Sequence, residues 1–312
     1  MNVNPVNPMA LSYNLETFQD YFNRMNRIMV SMFEWENVPD SMNPLYLEKC
    51  LFEFGQATVL KDPVKGIINT KCADGGYLNI YDLPTKLRCF ATDYTVERLV
   101  YNGIQNEKMN ADNQAVHILN DINRTPSWFT VYSFAERLAD AQKTCDINIR
   151  AQRTPILILG SEKQKTKLKT LYAKYDGFEP VIMGDEDYLS QDSIKAVNTG
   201  APYVADKVQS YKKEIWNEFL TTIGVNTIDM EKKERLISGE SNANNELINF
   251  NLQSYLKPRQ EACKKINELF GTNISVKVRS DLYNIIKQEE SIITDYNNNG
   301  IDDSLEEGVS DE

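Results

Sequence analysis

The stretch "GAPYVADKVQSYKKEIWNEFLTTIGV", residues 200 to 225, predicts a helix with one apolar edge and a strongly polar back. Positions three and four residues apart form the apolar stripe, namely Val204, Val208, Tyr211, Ile215, Phe219 and Ile223. The opposite side carries Asp206, Ser210, Lys213 and Asn217. Residues 204 to 223 would make a rod of about 30 Å. By itself this pattern is typical of a surface helix on a monomer, so the question is whether the polar back faces something else.

The composition is that of a soluble globular protein, with 25% charged and 41% hydrophobic residues in a chain of 312. This length allows two domains, or one domain with an insertion. No apolar run approaches the roughly 18 residues of a membrane span, so no membrane association is expected. The N-terminus lacks a basic region followed by an apolar segment, and we therefore expect no secretion. Five cysteines without a C-x-x-C pair predict reduced thiols in a cytosol, mostly as small core residues.

The net charge of −11 argues against a protein that binds nucleic acid tightly, because tight binding requires clustered Lys and Arg. It does not exclude a protein that lets nucleic acid pass.

Upstream of the opening helix, the pattern predicts a helix over 12–36 and a second over 43–55, with Pro44 at its first position and Gly55 at its end. Short segments rich in β-branched and aromatic residues predict strands within 56–105.

A third helix is predicted from about Thr125, with Pro126 at its first position, to residue 150. Pro155 then forces a break, and 155–200 alternates strand, Lys-rich helix and strand, which predicts a small α/β insertion between two long helices. After the opening helix, 238–254 is polar without a convincing period and is predicted to be a long loop.

The C-terminal part is predicted as a helix over 257–271, the strand "ISVKVR" (274–279) and a short helix. From Asp295 onward there is no basic residue.

Signals for enzymatic chemistry are mostly absent. The single histidine, His117, is predicted to be a surface residue in a polar loop, and one histidine cannot build most metal sites or nucleophile relays. There is no P-loop, no G-x-G-x-x-G and no G-x-S-x-G. We therefore expect no enzyme activity and no cofactor.

One metal-binding pattern does match, in "DYNNNGIDDSLE" (295–306), which fits an EF-hand calcium loop. The alternative is an acidic disordered tail. Only six residues follow Glu306, too few for an exit helix, and Asp302 stands where an apolar residue normally packs. The tail is the favoured interpretation, and no metal site is predicted.

Several colinear blocks resemble one known family. The first block is "FEWENVPDSMNPLYLEK" (33–49), and the others follow in the same order: "FEFG" with "KDPV" (52–64), "AQRTPILI" (151–158), "APYVADK" (201–207), "WNEFLTTIG" (216–224), "EKKER" (231–235), "EACKKINELFG" (261–271) and "SVKV" (275–278). They are similar to the upper collar, connector or portal proteins of phi-29-type short-tailed phages. The stretch 65–150 resembles that family only weakly, and both termini lie outside the match.

The resemblance implies an α+β, mainly helical portal fold that forms rings, with long stem helices, a small α/β clip insertion and a mixed wing domain. Its parts would be 1–124 (wing), 125–150 (stem helix), 151–200 (clip), 201–225 (stem helix), 226–256 (channel loop region), 257–290 (wing or crown) and 291–312 (acidic disordered tail).

The implied function is that of a portal, or head–tail connector. Twelve subunits would form a homo-oligomeric ring at one capsid vertex, the channel for packaging and ejecting double-stranded viral DNA and the attachment point for the tail. Implied partners are the major capsid protein, the lower collar or tail protein and a packaging ATPase. The location would be the virion, and the host cytoplasm during assembly. Two alternatives remain: a lower-collar or tail adaptor ring, and a cytosolic metal-dependent hydrolase, which the near absence of histidine disfavours.

The family places lysines on the channel wall near the start of the second stem helix. Lys207 matches one of them, whereas the earlier lysine of that pair falls on Asn198. The family's channel loop corresponds to 238–254, so the resemblance assigns further channel residues there, namely Ser238, Glu240, Asn242, Asn244 and Asn245.

Relatives of the phi-29 type also have a basic N-terminal arm that contacts a packaging RNA. Here the first 23 residues contain no Lys or Arg, and Arg24 and Arg27 are the first basic side chains. This departure speaks against RNA binding through the arm.

Overall fold

The computed structural model describes residues 8–152, 156–158, 194–196, 202–225 and 238–294. The chain divides into two compact units, the first formed by Met1–Ala139 with Lys213–Glu312 and the second by Asp140–Lys212.

Six helices lie in the described ranges: α1 (Pro8–Ser31), α2 (Pro44–Phe54), α3 (Trp128–Gln152), α4 (Ala205–Thr222), α5 (Ser238–Phe270) and α6 (Leu282–Thr294). The strands described are β1 (Phe33–Glu36), β2 (Gln56–Asp62), β3 (Gly66–Leu78), β4 (Pro84–Ala91), β5 (Tyr94–Val100), β6 (Gln114–Leu119), β7 (Ile156–Ile158), β8 (Ile194–Ala196) and β9 (Ser275–Val278). None of these helices is long and apolar enough to cross a membrane.

Helix α2 has the ends that its sequence predicts. The Asn43 side chain accepts a hydrogen bond from the Tyr46 N–H at 3.0 Å, and Pro44 follows at the first helical position. At the other end Gly55 takes φ 72° and donates its N–H to the Leu51 carbonyl. The predicted helix over 43–55 is confirmed.

Strands β2 to β6 form a closed barrel in the first unit. The pairs β2–β3, β3–β4 and β4–β5 are antiparallel, β5–β6 is parallel, and β2–β6 closes the barrel antiparallel. Alternate residues point inward to a small core made of Leu60, Cys72, Leu87, Cys89 and Ala115. The strands predicted within 56–105 are confirmed as a group, whereas β6 and the closure were not predicted.

The first predicted helix is wrong at its C-terminal end. Helix α1 ends at Ser31, and Phe33–Glu36 is a strand, β1, that pairs antiparallel with β9. Phe33 and Trp35 are buried on one face while Glu34 and Glu36 lie beside Lys277 of β9. Pairing with a strand about 240 residues away decides this conformation, so the local period of three and four could not reveal it.

The predicted loop over 238–254 is also wrong, because these residues form the N-terminal half of α5. Ile248 and Leu256 are buried and extend the apolar stripe that continues through Cys263 and Ile266. Pro258, the second residue of the helix predicted over 257–271, lies inside α5. The free energy gained by burying apolar side chains on both sides of Pro258 exceeds the cost of the one backbone hydrogen bond that a proline removes.

The helices predicted over 200–225 and 125–150 are confirmed as α4 and α3, with ends that shift by a few residues. Helix α3 begins at Trp128 rather than at Pro126, and the Val131 N–H bonds to the Ser127 carbonyl. All five cysteines are buried and free, as predicted.

Several predictions lie outside the described residues: the helix and strand of the 159–193 part of the insertion, the segment 226–237, and the 295–306 calcium pattern with the acidic tail. Helix α6 runs to Thr294, so the predicted disordered tail cannot begin at residue 291.

His117 is not in a surface loop, which corrects the prediction. It lies in β6, half-buried, with its Nε2 2.8 Å from Gln56 Oε1 on the neighbouring strand β2. Burial lowers the pKa of His117 to about 4.

This lowered pKa predicts a loss of stability on mild acidification. Between pH 6.5 and 4 the unfolded chain binds a proton at His117 that the folded chain does not, so the free energy of unfolding falls as pH falls. We expect His117 to contribute a loss of about 2 kcal/mol between pH 7 and pH 5. Urea denaturation of the wild type and of His117→Gln at both pH values measures it. An equal loss in both proteins would contradict the prediction.

Candidate nucleic-acid interface

The candidate interface is built on helices α3 and α4. In the first unit, the Phe134 and Phe219 rings meet edge to face with centroids 5.7 Å apart, beside the fully buried Trp216. Arg137 forms an ion pair with Glu218, with 2.7 Å between Nη2 and Oε2. An aromatic core thus fixes the side of α4 that faces α3, and with it the side that faces solvent.

In the second unit, a side chain of α3 caps the start of α4. Asn148 Oδ1 accepts from the Val204 N–H at 2.9 Å, and its Nδ2 donates to the Pro202 carbonyl at 2.8 Å. Asp206 in the first turn of α4 accepts a hydrogen bond from the Tyr203 hydroxyl at 3.1 Å. These bonds fix the turn that carries Lys207.

The buried stripe of α4 differs from the predicted one. Tyr211, predicted to be in the stripe, is 47% exposed, while Lys212 is buried and donates to Gln142 Oε1 of α3 in the second unit. Burial lowers the pKa of Lys212. The buried positions Ala205, Lys212, Trp216, Phe219 and Ile223 still recur at helical spacing, so the signal was present but a lysine concealed it.

Lys207 is exposed in the first turn of α4 and has no hydrogen bond or ion pair with the residues that the structure describes. It therefore presents an accessible positive charge. The earlier lysine position, Asn198, lies outside the described residues.

The exposed sides of α3 and α4 are more acidic than basic. Over residues 128–149 of α3 and over α4, the exposed charged residues are Glu136, Asp140, Lys143, Asp206, Lys207, Glu214 and Glu218. Within these two ranges there is no continuous basic stripe. Such a surface can touch phosphates at single points but cannot hold a duplex through many contacts at once.

The polar residues Ser238, Glu240, Asn242, Asn244 and Asn245 lie in the first turns of α5, on a helix and not on a loop. They belong to the first unit, whereas Lys207 belongs to the second. A role for these residues in a channel stays a prediction.

Within the first unit, the C-terminal end of α4 is hydrogen-bonded to α5. Asn251 Nδ2 donates to the Thr221 carbonyl at 2.9 Å, and Gly224 takes φ 85°. A Cβ at Gly224 would stand 2.3 Å from the Leu252 backbone nitrogen, so only glycine allows this approach. Sequence reasoning assigned no role to this junction, although "TIGV" at the end of a predicted helix is a typical glycine stop.

The first basic residues of the chain are held in ion pairs. Arg27 makes two 2.8 Å hydrogen bonds to Glu289 of α6, and Arg24 Nη1 lies 3.6 Å from the same carboxylate. These arginines join α1 to α6, and their charge is largely compensated.

Among the described residues, no three His, Cys, Asp or Glu side chains come together as a metal site.

Solved structures similar to this chain include a chain of the portal and tail of native bacteriophage P68, with 14% identity over 94% of this chain and 99% of that chain and a TM-score of 0.45. An HK97 family phage portal protein from Corynebacterium diphtheriae has 7% identity, coverage of 88% and 95%, and a TM-score of 0.45. A chain of the virion of a native gene transfer agent particle has 9% identity, coverage of 90% and 87%, and a TM-score of 0.45. These likenesses are remote.

A family model described as Phage Connector (GP10) matches residues 5–283. The match covers the barrel, the paired helices and α5, and it agrees with the colinear blocks found in the sequence. The chain belongs to the phage connector family.

Proposed function

We propose that this protein is the subunit of a portal ring, the head–tail connector at one vertex of a phage capsid. The observation that carries the proposal is the connector family match over residues 5–283. Twelve copies form the ring, double-stranded viral DNA enters and leaves through its axial channel, and the tail attaches to it. The protein itself catalyses no reaction, and a separate packaging ATPase supplies the work.

The charge distribution on α3 and α4 supports a conduit. Each phosphate contact releases counterions and adds affinity, which has to be undone at every step of translocation. A chain of net charge −11 with isolated exposed lysines, such as Lys207, makes few contacts and lets the duplex slide.

The other proposed partners are the major capsid protein around the ring and the lower collar or tail protein below it. The ring resides in the virion, after assembly in the host cytoplasm. A packaging RNA is not bound through the N-terminal helix, because Arg24 and Arg27 are paired with Glu289.

Electron microscopy of the purified protein tests the ring. Annular particles with a central opening are the expected result. A monodisperse monomer across salt and protein concentrations that assemble other connectors would contradict the proposal.

Lys207→Ala is expected to leave ring assembly unchanged and to reduce retention of packaged DNA, because Lys207 has no partner among the described residues and touches phosphates. The measurement is the amount of DNA kept in filled heads when packaging is stalled at increasing salt. We expect a loss on the order of several-fold and a shallower salt dependence.

The matched control is Lys143→Ala, which removes an exposed lysine from α3. If Lys207→Ala heads retain and eject DNA like the wild type, Lys207 does not face the DNA.

A further inference from the structure

The tip of the β3–β4 hairpin exposes five large apolar side chains within seven residues. We name this group the apolar tip: Tyr77 (89% exposed), Leu78 (56%), Ile80 (88%), Tyr81 (74%) and Leu83 (44%). No other segment among the described residues concentrates so many. A contiguous exposed apolar group of this kind marks an interaction site on a protein surface.

The apolar tip is held in a defined shape by its own hydrogen bonds. Asn79 Oδ1 accepts from the N–H groups of Tyr81 and Leu83 at 2.8 and 3.1 Å, and the Asn79 N–H donates to the Leu83 carbonyl at 2.8 Å. Thr85 Oγ1 donates to the Tyr77 carbonyl at 2.6 Å. The exposed side chains are therefore presented by an ordered turn, which lowers the entropy lost on binding.

Arg124 contacts the hairpin at two points, one in β3 and one in the turn at its tip. Its Nη1 lies 3.1 Å from Asp74 Oδ2, and its Nη2 donates to the Asp82 carbonyl at 3.4 Å. A bulge between Gly75 and Leu78 shifts the register just before the tip. Arg124 thus holds both the β3 strand and the turn at the tip, while the five apolar side chains of the tip stay exposed.

We propose that the apolar tip docks on a second copy of this chain, in a head-to-tail contact between neighbouring subunits. This proposal rests on the proposed ring function. A ring needs a heterologous interface, in which one surface of a copy meets a different surface of the next.

Two other exposed apolar pairs supply candidate acceptors in the first unit. Phe129 and Tyr132 are 56% and 43% exposed on α3, and Leu247 and Phe250 are 53% and 65% exposed on α5. A chain that exposes both a projecting apolar tip and separate apolar patches has the two kinds of surface that a heterologous contact requires.

Charge complementarity also favours a second copy. The hairpin from Lys71 to Ala91 contains three basic and two acidic residues, and one of the acids, Asp74, is paired with Arg124. Lys86 and Arg88 are exposed on β4 behind the tip. The hairpin therefore carries a net +1 on a chain of net charge −11, and its exposed basic pair, Lys86 and Arg88, is attracted to the acidic surface of another copy.

The test is the protein concentration at which rings form, measured by native mass spectrometry and electron microscopy. Ile80→Asp places a charge in the tip and is expected to raise this concentration at least about tenfold, as for a residue at the centre of an interface. The matched control is Val64→Asp, the same chemical change at a residue 92% exposed in the β2–β3 turn of the same barrel. Both variants are expected to keep the wild-type melting temperature as monomers, since neither side chain is buried.

Equal ring formation by Ile80→Asp and Val64→Asp would overturn the proposal for the tip, whereas a wild type that forms no ring would overturn the proposed function as well. A photo-reactive phenylalanine derivative at position 81 identifies the occupant in assembled particles. Cross-links to another copy outside its hairpin are expected. Cross-links from tip to tip, or to a different virion protein, would contradict the proposal.

Discussion

Glu48→Gln is expected to lower the free energy of unfolding by about 3–5 kcal/mol, because it removes one partner of a buried ion pair. Arg259 and Glu48 are both 3% exposed in their side chains and are joined by two hydrogen bonds of 2.8 and 3.0 Å. Glu48 also accepts from Trp35 Nε1 at 2.8 Å. The variant leaves the Arg259 charge buried without its counter-charge.

This pair joins three regions that are distant in sequence, namely β1 with α2, the end of β6, and α5. Arg259 on α5 donates to the Asn120 carbonyl after β6 at 2.7 Å, and its guanidinium lies over the Phe33 ring of β1 at 4.4 Å. Glu48 belongs to α2. The loss should therefore appear in the global unfolding of the first unit and not as local fraying.

Urea denaturation followed by tryptophan fluorescence measures this effect. The control is Glu218→Gln, which breaks the exposed Arg137–Glu218 pair and is expected to cost about 1 kcal/mol or less. Glu48→Gln combined with Arg259→Met should cost less than the sum of the single variants, because no charge stays buried alone. A Glu48→Gln loss no larger than that of the control would contradict the account of this cluster.

Gly224→Ala is expected to destabilise the first unit by about 2–5 kcal/mol, because strain at a positive φ adds to overpacking. Gly224 has φ 85°, and its missing Cβ would stand 2.3 Å from the Leu252 nitrogen and 2.6 Å from the Leu252 Cα. Those atoms are backbone of α5 and cannot rotate away. The substitution forces the C-terminal end of α4 away from the Leu252 turn of α5.

Gly103→Ala is a matched control for this effect. Gly103 also has a positive φ, 91°, but nothing lies within 4 Å of its missing Cβ. Its cost should be only that of the backbone conformation, about 1–2 kcal/mol. If the two variants lose the same stability in urea denaturation, the close approach of Gly224 to Leu252 contributes nothing.

Elements whose determinants are local in the chain were predictable from sequence. Helix α2 is one, since Asn43, Pro44 and Gly55 lie within thirteen positions and define both ends. Strand β1 could not be predicted, because its conformation depends on Ser275–Val278 at the other end of the chain. Closure of the barrel has the same cause, since β2 pairs with β6 across about 50 residues.

Polar residues misled the prediction where burial decides the structure. The Asn- and Ser-rich start of α5 has low helix propensity, yet the buried Ile248 and Leu256 continue the helix through it. Lys212 was left out of the predicted apolar stripe and is buried against Gln142. His117 read as a surface residue and lies half-buried against Gln56.

The candidate interface depended on the family resemblance more than on any pattern. Composition and spacing predicted a helix with a polar back, but not what that back faces. Lys207 was singled out through the "APYVADK" block, and the structure places it exposed in the first turn of α4. The apolar tip went unnoticed in the sequence, because "GGYLNIYDLP" reads as an ordinary strand and turn.

The central claim is that this chain forms a ring at one capsid vertex. A symmetry-relaxed electron microscopy reconstruction of the intact particle, focused on the vertex that carries the tail, tests it most directly. We predict a ring of twelve copies within the head shell, with the barrel and the α3–α4 pair of each copy fitted to density and a continuous axial channel between them. A ring located in the tail below the shell, or density at that vertex that this chain does not fit, would contradict the account.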